Sequence, residues 1–151
     1  MRKFLLLFIV ISVKTCYSQN IEDVRRLYIE AHIEKIKSDS LNILLKNYDI
    51  QKNILVAYKG AELLLKCKES KNPFLKLKYF EKGKTMLEEA INQEPNNIEI
   101  VFLRYINQVN IPAFLNYNKN IDQDYALINS KINSIKDNRL KEYILQSLRS
   151  L

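Results

Sequence analysis

Residues 73–97 read PFLKLKYFEKGKTMLEEAINQEPNN, and the helical reading of this stretch decides the fold. Pro73 suits a first helical position, where a missing amide hydrogen costs nothing. Beyond it Leu77, Phe80, Gly83, Leu87, Ala90 and Ile91 recur at spacings of three and four, the signature of one apolar helical face. Pro95 and Asn96-Asn97 then end that helix near Gln93 and open the next.

Working outward, Lys71-Asn72-Pro73 reads as a turn after a helix from about Gln51 to Glu69, with Ile54, Ala57, Tyr58, Ala61, Leu64 and Leu65 inward. Ala57, Gly60 and Ala61 are small enough for a neighbouring helix to approach closely. Further on, Ile98, Val101, Phe102, Tyr105 and Val109 mark another helix. Asn110 is expected to cap a short turn begun by Pro112 and carrying Phe114 and Leu115. Ile121, Tyr125, Ile128, Ile132 and Ile135 predict a helix, and Asp137 caps a last one with Leu140, Ile144, Leu148 and Leu151 inward. Toward the N-terminus, Val24, Leu27, Tyr28 and Ala31 lie on a helix from Ile21 to about Ile36. Asp39 and Ser40 are expected to cap a short helix with Leu41, Leu44, Leu45 and Tyr48.

Gly60 and Gly83 are the only glycines, and Pro73, Pro95 and Pro112 the only prolines, too few breakers for the turns of an all-β protein. The expectation is an all-α protein of about six helices joined as antiparallel hairpins by short connections.

The chain opens Met1-Arg2-Lys3, continues without charge from Phe4 to Val13, and leaves through Lys14-Thr15-Cys16-Tyr17-Ser18-Gln19. A cationic start, an apolar run of about ten residues and a small-residue exit form a secretory signal peptide, cut after Ser18. The apolar run is too short for a stable membrane span, which needs about twenty residues. A competing reading makes Cys16 a lipidation site, although Lys14 and Thr15 fit poorly before such a cysteine. The expected organisation is therefore a signal peptide over 1–18 and one helical domain over 19–151, in a periplasmic or extracellular location.

Cleavage removes Arg2, Lys3 and Lys14 from the 24 cations and none of the 17 acids, lowering the net charge from +7 to +4. What remains is an ordinary solubility charge, and no nucleic-acid partner is expected. The densest cationic run, Lys76, Lys78, Lys82 and Lys84, reads first as a solvated face and second as a binder of anionic lipid or polysaccharide. Cys16 leaves as well, so Cys67 is the one remaining thiol; it stands beside Leu63, Leu64 and Leu65 and is expected to pack in the core.

Gly83, Leu87, Ala90, Pro95 and Asn96-Asn97 stand at the spacing of the small, large apolar, alanine and proline positions of a tetratricopeptide repeat, and this region resembles half of one such unit. That resemblance implies a right-handed helical array. The stretches Ala57-Tyr58-Lys59-Gly60-Ala61, Lys76-Leu77-Lys78-Tyr79-Phe80, Phe102-Leu103-Arg104-Tyr105-Ile106 and Ile111-Pro112-Ala113-Phe114-Leu115-Asn116-Tyr117 are similar to a set of small, exported, uncharacterised helical proteins of the Bacteroidota. This second resemblance implies an envelope address and a helical-hairpin fold, and no activity.

The residues offer little for catalysis. His32 is the only histidine, so the usual neutral-pH base occurs once, among Ile29, Ile33 and Ile36. One histidine and one retained cysteine cannot make the three or four ligands of a zinc site, and Asp122-Gln123-Asp124 lacks the glycine turn and distal glutamate of a calcium loop. Two isolated glycines build no phosphate cradle. Glu88 and Glu89 diverge by about 100° around their helix and do not converge on one bond. No cofactor and no enzymatic activity are expected.

Arg104 stands out, because its helix is apolar around much of its surface and a buried guanidinium needs a carboxylate. Glu99, Asp122 and Asp124 are the candidate partners, in an ion pair that fixes the loop from Asn107 to Asn120. That loop is rich in amides and aromatics, which suit recognition of a peptide or glycan. The leading expectation is a non-catalytic adaptor with a protein or peptide partner, bound by a concave surface lined by Tyr58, Tyr79, Arg104 and Tyr117.

Overall fold

The computed structural model describes residues 21–31, 35–47 and 52–151, and divides into two units, Met1–Asp49 and Ile50–Leu151. The described residues are all-α, with no strand among them: seven α-helices rather than about six, and two single 3₁₀ turns. The expected signal peptide, and with it Cys16, lies outside the described residues, as do His32, Ile33 and Tyr48.

In the first unit, α1 covers residues 21–31 and α2 runs Lys35–Lys46. Val24, Tyr28 and Ala31 are buried at spacings of four and three, and Leu41 and Leu45 at a spacing of four. Salt bridges from Arg25 to Glu22 and from Arg26 to Asp23 and Glu30 cover the other side of α1 at 3.0–3.3 Å. Asp39 and Ser40 fall inside α2 rather than at its N-terminus, since Lys35, four residues before Asp39, is already helical.

The second unit begins with a hairpin of α3 (Asn53–Glu69) and α4 (Pro73–Gln93). Asn53 meets Glu94, and Gly60 meets Gly83 and Leu87, so the pair is antiparallel. A Cβ added to either glycine would lie 2.7 Å from the other's carbonyl oxygen, and the two backbones therefore touch. This contact is the reason for two glycines in helix interiors, where glycine otherwise costs about 1 kcal/mol against alanine. Asn72 caps α4, accepting from the amides of Phe74 and Leu75.

Asn97 caps α5 (Ile98–Asn110), which packs on α3, α4, α6 and α7. Every residue from Glu99 to Gln108 is buried. The core beyond the hairpin joins Val101, Phe102, Tyr105 and Ile106 of α5 to Ile128, Ile132, Leu140 and Ile144. These come from α6 (Ile121–Lys131), a 3₁₀ turn at Ile132–Ser134, and α7 (Asn138–Arg149), whose first amides are capped by Asp137. The predicted helix thus stops at Lys131 rather than Ile135. Leu151 is exposed and lies past the end of α7. Asn110 does not cap the turn at Ala113–Leu115; its side-chain amide donates to the Ile106 carbonyl at 2.7 Å and closes α5.

Candidate functional site

The densest polar cluster of the second unit is built where α4, α5, α6 and the loop after α5 converge. Arg104, buried on α5, donates through Nε and Nη2 to the two carboxylate oxygens of buried Asp124, at 2.8 and 2.7 Å. This two-pronged contact uses the planar fork of the guanidinium. Its Nη1 donates to Oε2 of Glu88 on α4 at 2.9 Å. The other oxygen of Glu88 accepts from the hydroxyl of Tyr117 at 2.7 Å. One cation and one phenol thus satisfy two carboxylates, and the chain Asp124–Arg104–Glu88–Tyr117 joins three helices to the loop.

The electrostatics follow. Burial alone would lower the Arg104 pKa, but the hydrogen bonds and charges of Asp124 and Glu88 outweigh it and raise it. The Tyr117 phenol is pushed well above the usual tyrosine value, first by burial and then by the Glu88 carboxylate. Its ring meets Phe80 edge-on at 6.1 Å, and the Lys84 ammonium lies 5.8 Å from the Phe80 centroid and 5.7 Å from that of Tyr117.

Of the three carboxylates expected beside Arg104, Asp124 is the one that meets it. Glu99 instead accepts from the Tyr58 hydroxyl at 2.7 Å, and Asp122 is exposed in the first turn of α6. Glu88 completes the set, a partner that the sequence reading does not place beside Arg104. Its position next to Leu87 and three residues before Ile91 sets it on the border of the buried stripe, the signal that could have found it.

The surface expected from Tyr58, Tyr79, Arg104 and Tyr117 does not form. Arg104 and Tyr117 do converge on Glu88, but both are buried, as is Tyr58, and Tyr79 is half-buried on α4. The polar atoms of Tyr58, Arg104 and Tyr117 are committed to partners within the protein.

What the cluster does instead is brace the loop. Tyr117 anchors its middle, the Gln108 side chain pairs with the amide and side chain of Asn120 at its end, and Asn110 holds its start. Asn116 turns the chain with a left-handed φ of 51°, a conformation asparagine tolerates better than most residues. Between these fixed points Phe114 stands 80% exposed, with Val109 also exposed at the end of α5.

Nothing in this cluster is an activated nucleophile or a paired acid and base, since each carboxylate is held by a cation or phenol. Cys67 is half-buried, and burial raises its thiol pKa despite the charge of Lys76. Among the described residues no group of three His, Cys, Asp or Glu is disposed to hold a metal ion, and no helix is long and apolar enough to cross a membrane. Comparisons with protein-family models, curated proteins and solved structures find no match.

Proposed function

We propose that this chain is an exported, non-catalytic helical adaptor of the cell envelope, cut after Ser18, that docks a protein or peptide partner through the loop following α5. One observation carries the reading: Phe114 is held 80% exposed on a loop fixed by part-buried hydrogen bonds at Asn110, Tyr117 and Asn120. A rigid, exposed aromatic loses little conformational freedom on binding, which is why such side chains anchor protein interfaces. The antiparallel α3–α4 hairpin supports a tetratricopeptide-like arrangement of the rest, the kind of scaffold that presents a face to a partner.

The test is a photo-crosslinking residue placed at Phe114, and separately at exposed Glu89, in the tagged full chain expressed in its native host. A protein adduct that recurs from Phe114, is absent from Glu89, and disappears on competition by the wild-type chain but not by Phe114→Ser supports the reading. Equal labelling from both sites, or none, refutes it. The mass of the recovered chain reports the address: a start at Gln19 supports export, and a retained Met1 or a lipid on Cys16 overturns the proposed cleavage.

A further inference from the structure

We propose that the tip of the α3–α4 hairpin is a docking element for a bilayer rich in anionic headgroups. Three large apolar side chains are exposed within four residues at the start of α4: Phe74 at 84%, Leu75 at 41% and Leu77 at 57%. Single exposed apolar residues are ordinary, but a cluster marks a contact surface. Phe74 precedes Gly83 by nine residues, which at about 100° per residue puts it half a turn from the line that touches α3. It therefore points away from the hairpin, and α3 cannot cover it.

Charge selects the occupant. Lys68 at the end of α3, Lys71 in the turn, and Lys76 and Lys78 in the first turns of α4 are all exposed at this end of the hairpin, and residues 70–80 contain no acid; Glu69 and Glu81 flank the segment. Lysines interleaved with phenylalanine and leucine match an anionic bilayer, where the apolar groups enter the headgroup boundary while the ammonium groups stay with the phosphates. A polysaccharide supplies no phase for the three apolar side chains. A second copy of the chain, tip to tip, would set lysines against lysines. The backbone also suits entry into a medium of low polarity, because the Phe74 and Leu75 amides already donate to the Asn72 side chain at 2.9 and 3.3 Å. This inference stands on α4 and is independent of the Phe114 reading.

The sequence contains no tryptophan, so a single one reports locally. Phe74→Trp and Phe114→Trp, each in the full chain, are titrated with phosphatidylglycerol and with phosphatidylcholine vesicles. The Phe74→Trp emission is expected to shift to the blue with phosphatidylglycerol alone and to lose the shift at high salt, while Phe114→Trp stays unshifted. Adding Lys76→Gln and Lys78→Gln to Phe74→Trp should weaken partitioning about thirty-fold, about five-fold for each lysine. No shift with phosphatidylglycerol, an equal shift with phosphatidylcholine, or an equal shift in both reporters overturns the proposal. So does a shift that grows with protein concentration without vesicles, which would indicate self-association. An equal shift with polyglutamate would point to an acidic protein surface and overturn it too.

Discussion

Replacing Gly83 by alanine is expected to destabilise the protein by about 2 kcal/mol, although the same change in an exposed helix would stabilise it by about 1 kcal/mol. The new methyl would stand 2.7 Å from the Gly60 carbonyl oxygen, where ordinary contact begins at 3.4 Å, so the helices must part by about 0.7 Å at their crossing. The obstructing atom belongs to backbone, and no side-chain rotation relieves it. A gap of that size forfeits about a quarter to a half of the dispersion attraction between facing atoms, here those of Leu63, Leu64 and Leu87. Overpacking of about 3 kcal/mol, offset by about 1 kcal/mol of helix propensity, gives the net figure. Urea unfolding followed by helical circular dichroism measures it, with a melting temperature lowered by several degrees. Gly60→Ala should behave alike. The double variant should lose less than the two losses together, since helices already parted for one methyl accommodate the other. A Gly83→Ala chain more stable than wild type would refute the close crossing.

Arg104→Met should cost about 3–5 kcal/mol, because it leaves Asp124 buried without its cation, and Arg104→Lys should recover only part by keeping charge without the two-pronged geometry; urea midpoints of the two variants decide it. Removing the α5 cap with Asn97→Ala should cost about 1 kcal/mol in the same assay, the amides of Glu99 and Ile100 losing their acceptor. Stability should also fall in alkali. Burial raises the pKa of Tyr117, with Glu88 adding, and burial raises that of Tyr143, with a Ser147 hydrogen bond opposing and Glu99 adding. Unfolded phenols lose their protons near pH 10, so both contributions are intact below about pH 10 and are lost above it, by about 1.4 kcal/mol per pH unit for each phenol. Phenolate absorbance, assigned with Tyr117→Phe and Tyr143→Phe, should appear at those residues only as the chain unfolds; titration near pH 10 in the folded state would contradict their burial.

The local grammar of this chain was legible in its sequence. Apolar spacings of three and four, scarce glycine and proline, and Pro73, Asn97 and Asp137 at helix starts determine an all-α protein, because these signals act within a turn or two of backbone. The same logic marked Arg104 as needing a buried carboxylate. It misjudged α2, whose start four residues before Asp39 overrides two good capping side chains, and α6, where a 3₁₀ turn ends the helix inside a regular apolar repeat. What only the tertiary structure decided is pairing across distance. Glu88 and Arg104 are sixteen residues apart and meet because α4 and α5 pack around a short turn, while Tyr58 takes Glu99 from forty-one residues away. Helical periodicity states which face is apolar and leaves open which faces meet. For that reason Tyr58, Arg104 and Tyr117 lie in the interior rather than on a shared surface, and the exposure of Phe74 and Phe114 follows from tertiary packing, which periodicity does not specify.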